Sequence, residues 1–180
     1  ESWGDYNKAI DYLKLSIEDN SDNEIAMYEL AFCFDFTERY SESVAFYNRV
    51  IDRDPYSFIA WYNLGNVYNR QGKYEKALEA YDYCFVIKDD FSSAYFNKGN
   101  TLANLSRYNE AIECYKKTFE LEAPDGLTFY NIGECYEQLE QMEKAREYYK
   151  KATKLDANLS EAWLGIGITL QHEERWFEAI

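Results

Sequence analysis

The side chains with the clearest chemical use in this sequence are five asparagines in two rows. Asn63, Asn97 and Asn131 lie 34 residues apart, and Asn66 and Asn100 repeat that spacing three places further on. An Asn amide carries both donors and an acceptor. A row of them can hold the N–H and C=O groups of an extended peptide without reading its side chains. Asn is a mediocre residue inside a helix, so its return at fixed places needs a cause. The competing cause is structural, the same amides tying neighbouring helices together. Aromatic and charged residues interleave with the rows. Tyr28, Tyr62, Phe96 and Tyr130 share one phase, Phe32 and Glu134 share the phase of Asn66 and Asn100, and Arg70 adds one base. Ile25, Tyr28, Phe32 and Phe36 add apolar groups early in the sequence and Glu134, Glu137 and Glu161 add acidic ones later, which would suit a basic segment of a partner if these residues line one groove.

Nothing comparable points to catalysis. The only histidine, His172, adjoins no nucleophile motif. Gly165-Ile166-Gly167 lacks the further glycine of a dinucleotide loop, and no phosphate-binding loop or paired-histidine helix occurs. No catalytic residue and no cofactor is expected. Four cysteines, Cys33, Cys84, Cys114 and Cys135, show no metal-ligand spacing. They read as small buried thiols, so no metal site is expected. Unpaired thiols favour a reducing compartment, and a cytoplasmic location is expected on that ground.

The elements that must carry these residues follow from the period itself. Gly65, Gly99, Gly133 and Gly167 are spaced by 34, as are Ala77, Ala111, Ala145 and Ala179, and Tyr6, Tyr40, Tyr74 and Tyr108. A fixed period of this length marks stacked supersecondary units. Within one unit, Phe58, Trp61, Leu64, Gly65 and Tyr68 have the spacing of one helix face. Gln71-Gly72 breaks that helix. A second helix then carries Ala77, Leu78, Tyr81 and Cys84, and Lys88-Asp89-Asp90 closes the unit. The recurring small residues let two antiparallel helices approach closely. A helical Gly costs roughly 1 kcal/mol relative to Ala, so four in register indicate a packing need.

The stretch Trp61-Tyr62-Asn63-Leu64-Gly65-Asn66, followed by Tyr68 and Ala77, resembles the tetratricopeptide repeat. The resemblance covers the whole chain. It implies an all-α fold, a right-handed α-solenoid of stacked antiparallel helix pairs whose first helices line a concave face. The expected organisation is one array over residues 1–180. It has a partial repeat at 1–23, full repeats at 24–57, 58–91, 92–125 and 126–159, and a partial repeat at 160–180 that ends just inside its second helix. Both ends read as cut within a repeat, as in a piece of a longer protein. The resemblance places Tyr28, Phe32, Tyr62, Asn63, Asn66, Arg70, Phe96, Asn97, Asn100, Tyr130, Asn131 and Glu134 on the concave groove. It implies a protein–protein interaction scaffold that takes a partner peptide or segment there. The asparagine rows are similar to the ladder in the repeat domain of a glycosyltransferase. A substrate-recruiting arm of such an enzyme is therefore one alternative. A structural element assembling through its convex face or ends is another. The Lys and Arg with which co-chaperones of this family clamp a terminal carboxylate are missing: the matching positions hold Ile25, Ile59, Ser93, Leu127 and Glu161, and the two rows further along carry no base.

Charge bounds the partner. The net charge is −14, and residues 1–23 and 24–57 contribute −4 each. Phosphate binding needs clustered Lys and Arg, so nucleic acid and anionic membrane surfaces are not expected partners. No run approaches the roughly 18 apolar residues of a membrane span. Trp163, Trp176 and Phe177 near the end of the sequence lead to an expectation of weak end-to-end self-association.

Overall fold

A computed structural model describes the backbone of residues 3–178 and the side chains of residues 5–172. Among these residues there are ten helices and no strand. They are α1 (Trp3–Asp19), α2 (Glu24–Phe36), α3 (Tyr40–Arg53), α4 (Phe58–Arg70), α5 (Tyr74–Ile87), α6 (Ser92–Asn104), α7 (Tyr108–Leu121), α8 (Gly126–Gln138), α9 (Met142–Leu155) and α10 (Ser160–Glu178). They divide between two compact units, Glu1–Asp90 and Phe91–Ile180. In the first, α2 pairs with α3 and α4 with α5, α1 packs on α2, and α3 packs on α4. In the second, α6 pairs with α7 and α8 with α9. There α10 packs on α9, and the first helices α6, α8 and α10 touch in sequence.

The turn inside each helix pair is set by backbone chemistry. Gly72 has φ +70°, and Glu38, Ser106 and Glu140 take the same left-handed conformation at the matching position. The Gly72 N–H donates to Asn69 O at 2.9 Å and the Lys73 N–H donates to Tyr68 O at 2.9 Å. This pair of bonds, a Schellman motif, closes the first helix and reverses the chain. The same two bonds recur at Glu38-Arg39, Ser106-Arg107 and Glu140-Gln141. Side-chain caps start two of the first helices. The Asn23 side chain accepts from Ala26 N–H at 3.1 Å, and that of Asp125 from Thr128 N–H at 2.8 Å.

The core of each pair is one tyrosine against one small residue. Tyr47, Tyr81, Tyr115 and Tyr149, again spaced by 34, are all fully buried. A Cβ built on Gly65 would lie 2.6 Å from the Tyr81 ring; Gly99 meets Tyr115 and Gly133 meets Tyr149 at the same 2.6 Å. Ala77, Ala111 and Ala145 are wholly buried on the second helices. Ser43 at that phase is also wholly buried, its hydroxyl donating to Ala31 O at 2.8 Å. The packing role expected of the recurring glycines therefore holds for Gly65, Gly99 and Gly133. Gly167 is different: among the described residues no second helix lies against it, and a Cβ there meets nothing within 4 Å.

The last repeat also departs from expectation. In place of a turn followed by a second helix, α10 runs unbroken to Glu178. Continuing the helix pairs the backbone N–H and C=O groups that a turn would leave open. Of the three aromatics on which end-to-end association was expected to rest, Trp163 is exposed, and the side chains of Trp176 and Phe177 lie outside the described residues. Lys98, at the phase of Leu30, Leu64, Ile132 and Ile166, is half-buried, as befits a long stem with a solvated head.

The glycine contrast can be measured. Gly99→Ala forces a methyl group onto the Tyr115 ring and is expected to cost about 1–3 kcal/mol. Gly167→Ala adds a methyl in open space on a helix and is expected to gain about 1 kcal/mol. Urea melts followed by circular dichroism check both. Equal effects of the two substitutions would overturn the packing account.

Candidate functional site

The twelve expected groove residues all lie on first helices and none is fully buried. In the first unit they are Tyr28 and Phe32 on α2, and Tyr62, Asn63, Asn66 and Arg70 on α4. In the second they are Phe96, Asn97 and Asn100 on α6, and Tyr130, Asn131 and Glu134 on α8.

In the first unit the asparagines join neighbouring groups. Asn63 Nδ2 donates to the Tyr28 hydroxyl at 2.5 Å, bridging α4 to α2. The Tyr81 hydroxyl, emerging from the core, donates to Asn66 Oδ1 at 2.8 Å. Where Asn66 and Asn100 stand in later repeats, the first full repeat has Phe32. As a result the buried Tyr47 hydroxyl finds no hydrogen-bond partner among the described residues. Phe32 and Phe36 stay exposed with their rings 6.2 Å apart, Tyr6 stacks on Phe36 at 4.4 Å, and Ile25 is 78% exposed.

Arg70, expected as the one base of the face, is not free to meet a partner alone. Its Nη1 donates to Asp35 Oδ2 at 2.5 Å. The Arg70 side chain is 51% exposed and that of Asp35 only 10%. Asp35 Oδ1 is buried with no partner among the described residues. Burial pushes the Asp35 carboxyl above its ordinary value, against the opposing pull of the Arg70 charge and hydrogen bond. Sequence reading missed Asp35. It stands one helical turn beyond Phe32 on α2, and 35 residues before Arg70, the same offset that joins Tyr28 to Asn63.

In the second unit the amides form a short chain. The Tyr115 hydroxyl donates to Asn100 Oδ1 at 2.7 Å and Asn131 Nδ2 donates to the same oxygen at 3.2 Å. Both lone pairs of that oxygen are thereby used, while no bond is formed by Asn100 Nδ2 or Asn131 Oδ1 within the described residues. One donor and one acceptor of this pair thus carry no hydrogen bond among the described residues. A cleft of about 310 Å³ opens here, lined among others by Asn100, Tyr115, Asn131, Glu134 and Gln138. Glu134 accepts from the Tyr130 hydroxyl at 2.7 Å, and Glu137 accepts from the Tyr149 hydroxyl at 2.6 Å. Burial, and then the Glu137 bond, push the Tyr149 hydroxyl far above its ordinary value, so it acts as a permanent donor.

Cys33, Cys84 and Cys135 are buried, whereas Cys114, expected to be buried with them, is only half-buried. Burial lifts the Cys84 thiol up to about 11 and the Cys135 thiol up to about 12, which keeps both protonated and unreactive near neutrality. Among the described residues no group of His, Cys, Asp and Glu could hold a metal ion, and His172 is exposed. No helix among them is long and apolar enough to cross a membrane.

Helix pairs of this kind, with one small residue against one tyrosine in each, define an all-α repeat fold. Family profiles described as tetratricopeptide repeat match residues 25–57, 58–90 and 90–158. The chain belongs to the tetratricopeptide repeat family. Among solved structures it is similar to MamA, at 21% identity and TM-score 0.81, over 88% of this chain and 92% of that one. It is similar to YrrB, described as a TPR protein with an unusual peptide-binding site, at 20% identity and TM-score 0.75, over 90% and 84%. It is also similar to TTC0263, a thermophilic TPR protein of Thermus thermophilus, at 17% identity and TM-score 0.68, over 93% and 92%. Comparison with curated proteins finds no match.

The ion pair yields an asymmetric expectation. Arg70→Ala strands a buried carboxylate and is expected to cost about 1–3 kcal/mol at neutral pH. Asp35→Asn leaves a solvated guanidinium and is expected to cost less. Because Asp35 binds its proton more tightly when folded, its burial opposes folding once the pH rises above the carboxylate range, and acidification relieves this. The Arg70→Ala penalty is therefore expected to shrink between pH 7 and pH 4. Urea titrations at the two pH values measure it; a penalty that does not change would show that the carboxylate is not its source.

Proposed function

We propose that this chain is a protein-interaction scaffold whose first-helix faces hold a segment of a partner protein in extended form. The observation that carries the reading is the accessibility of amides and aromatic rings together. None of the twelve residues from Tyr28 to Glu134 is buried, although four tyrosines of the adjacent second helices are. The amides supply backbone hydrogen bonds and the half-buried Tyr28, Tyr62, Phe96 and Tyr130 supply apolar contact at low entropic cost. In the first unit the exposed Ile25, Phe32 and Phe36 offer an apolar anchor. In the second, Glu134 and its neighbours add negative charge. YrrB is described as having a peptide-binding site; here the same role rests on the residues named.

A peptide selected from a displayed library against the intact chain tests this. Phe32→Ala with Tyr62→Ala in the first unit, and Asn131→Ala with Glu134→Lys in the second, are expected each to weaken binding about tenfold, a typical loss for a buried anchor. Tyr12→Ala and Val86→Ala, exposed on second helices, are expected to leave it unchanged. Loss of binding with Tyr12→Ala and Val86→Ala, and not with the first-helix substitutions, would move recognition to the second-helix face.

A further inference from the structure

The cleft between α8 and α10 differs in its chemistry from the one between α6 and α8. Between α6 and α8, an acceptor on one helix meets a donor on the next: Asn100 Oδ1 takes the Asn131 amide. The residue of α10 at the phase of Asn131 is Gly165, which has no side chain to donate. A Cβ there would fall 2.5 Å from the Tyr149 ring, so the packing of this repeat excludes any amide at that point. The facing residues have meanwhile changed from amide to acid. Glu134 stands where Asn100 stands one repeat earlier, and Glu137 and Glu161 line the same cleft, of about 180 Å³. Glu134 and Glu137 each receive one tyrosine hydroxyl, and Glu161 receives the Ser160 hydroxyl. None of the three meets a Lys or Arg among the described residues. Some other acids of this unit do, as in Glu110 with Arg107, Glu113 with Lys116 and Glu147 with Lys151.

The cleft thus holds surplus acceptors around a gap that the fold keeps free of a donor. Its walls are apolar, formed by the Tyr130 ring and by Leu164 and Ile168, both exposed. A group that is cationic at its tip and apolar along its stem matches both features. The geometry points to an arginine side chain of the bound segment as the occupant, its guanidinium shared between Glu134, Glu137 and Glu161 and its plane against Tyr130. Arginine fits better than lysine because its fork can donate to two carboxylates at once and it stacks on aromatic faces. The inference rests on the peptide-binding reading above and adds the chemistry recognised at one end of the second unit.

The test uses the intact chain and three capped pentapeptides, Ac-Ala-Ala-X-Ala-Ala-amide, with X arginine, lysine or norleucine. Binding is followed by amide NMR titration at low salt. The arginine peptide is expected to shift the amides around Glu134 and Gly165. It is expected to bind about five- to tenfold more tightly than the norleucine peptide, with the lysine peptide between them. Glu134→Gln with Glu137→Gln keeps both acceptors for the tyrosine hydroxyls, and unchanged helicity confirms that it folds. In that variant the arginine preference is expected to vanish. Equal binding of arginine and norleucine peptides would overturn the inference and leave the peptide-binding reading standing. Absence of binding by all three would overturn both. An arginine preference that survives in the double variant would overturn the inference by showing that general acidity attracts the peptide.

Discussion

A tyrosine ring pressed against a residue without a side chain is the contact on which the rest of this structure depends. Tyr81 on Gly65, Tyr115 on Gly99 and Tyr149 on Gly133 bring the two helices of each pair close enough to exclude water. The arrangement has a chemical consequence. A phenol ring long enough to span the pair ends in a hydroxyl at the first-helix face, and a buried hydroxyl without a partner is costly. Asn66 and Asn100 accept it in two repeats and Glu137 in a third. The polarity of the candidate binding face is therefore partly a result of how the core is packed.

This coupling explains why the asparagines resist assignment to structure or to recognition alone. An amide has more hydrogen-bonding groups than a tyrosine hydroxyl and one neighbouring amide consume. Asn100 Oδ1 is filled by Tyr115 and Asn131, while its nitrogen is not used within the described residues. Where the row is broken the effects differ. Phe32 leaves the Tyr47 hydroxyl without a partner among the described residues and gives the first unit an apolar surface. Glu134 leaves Tyr149 to find Glu137 and gives the second unit an acidic one. Asp35 fits the same logic: a carboxylate one turn from Phe32, sunk beside the core and held by a single guanidinium.

Much of the fold was legible in one dimension. Repeats that stack must present the same face to each neighbour, so small residues, turn residues and helix faces recur at one period. Gly65 and Ala77 announced close helix approach, and Gln71-Gly72 the turn. The tyrosines at 47, 81, 115 and 149 were equally periodic, yet they were hidden among 18 tyrosines, many of them partly exposed. The Asp35–Arg70 pair was not legible, because a contact between two residues on different helices leaves no trace in spacing unless it recurs. The missing turn near the end of α10 escaped for a related reason. A turn forms where the helices on either side of it pack together, and sequence phase alone does not report that packing.

The sequence by itself determined the period, the helices and which face of each is apolar, since these follow from local spacing and from the size of single side chains. The tertiary structure decided which polar groups on the opposite face are already satisfied. Hydrogen bonds such as Asn63 to Tyr28 and Asn131 to Asn100 join residues more than thirty positions apart. Their formation depends on fractions of an ångström in how one helix pair rests on the next. So do the gaps they leave: Gly165 is one more small residue in the sequence, and only the approach of Tyr149 shows that nothing larger could stand there.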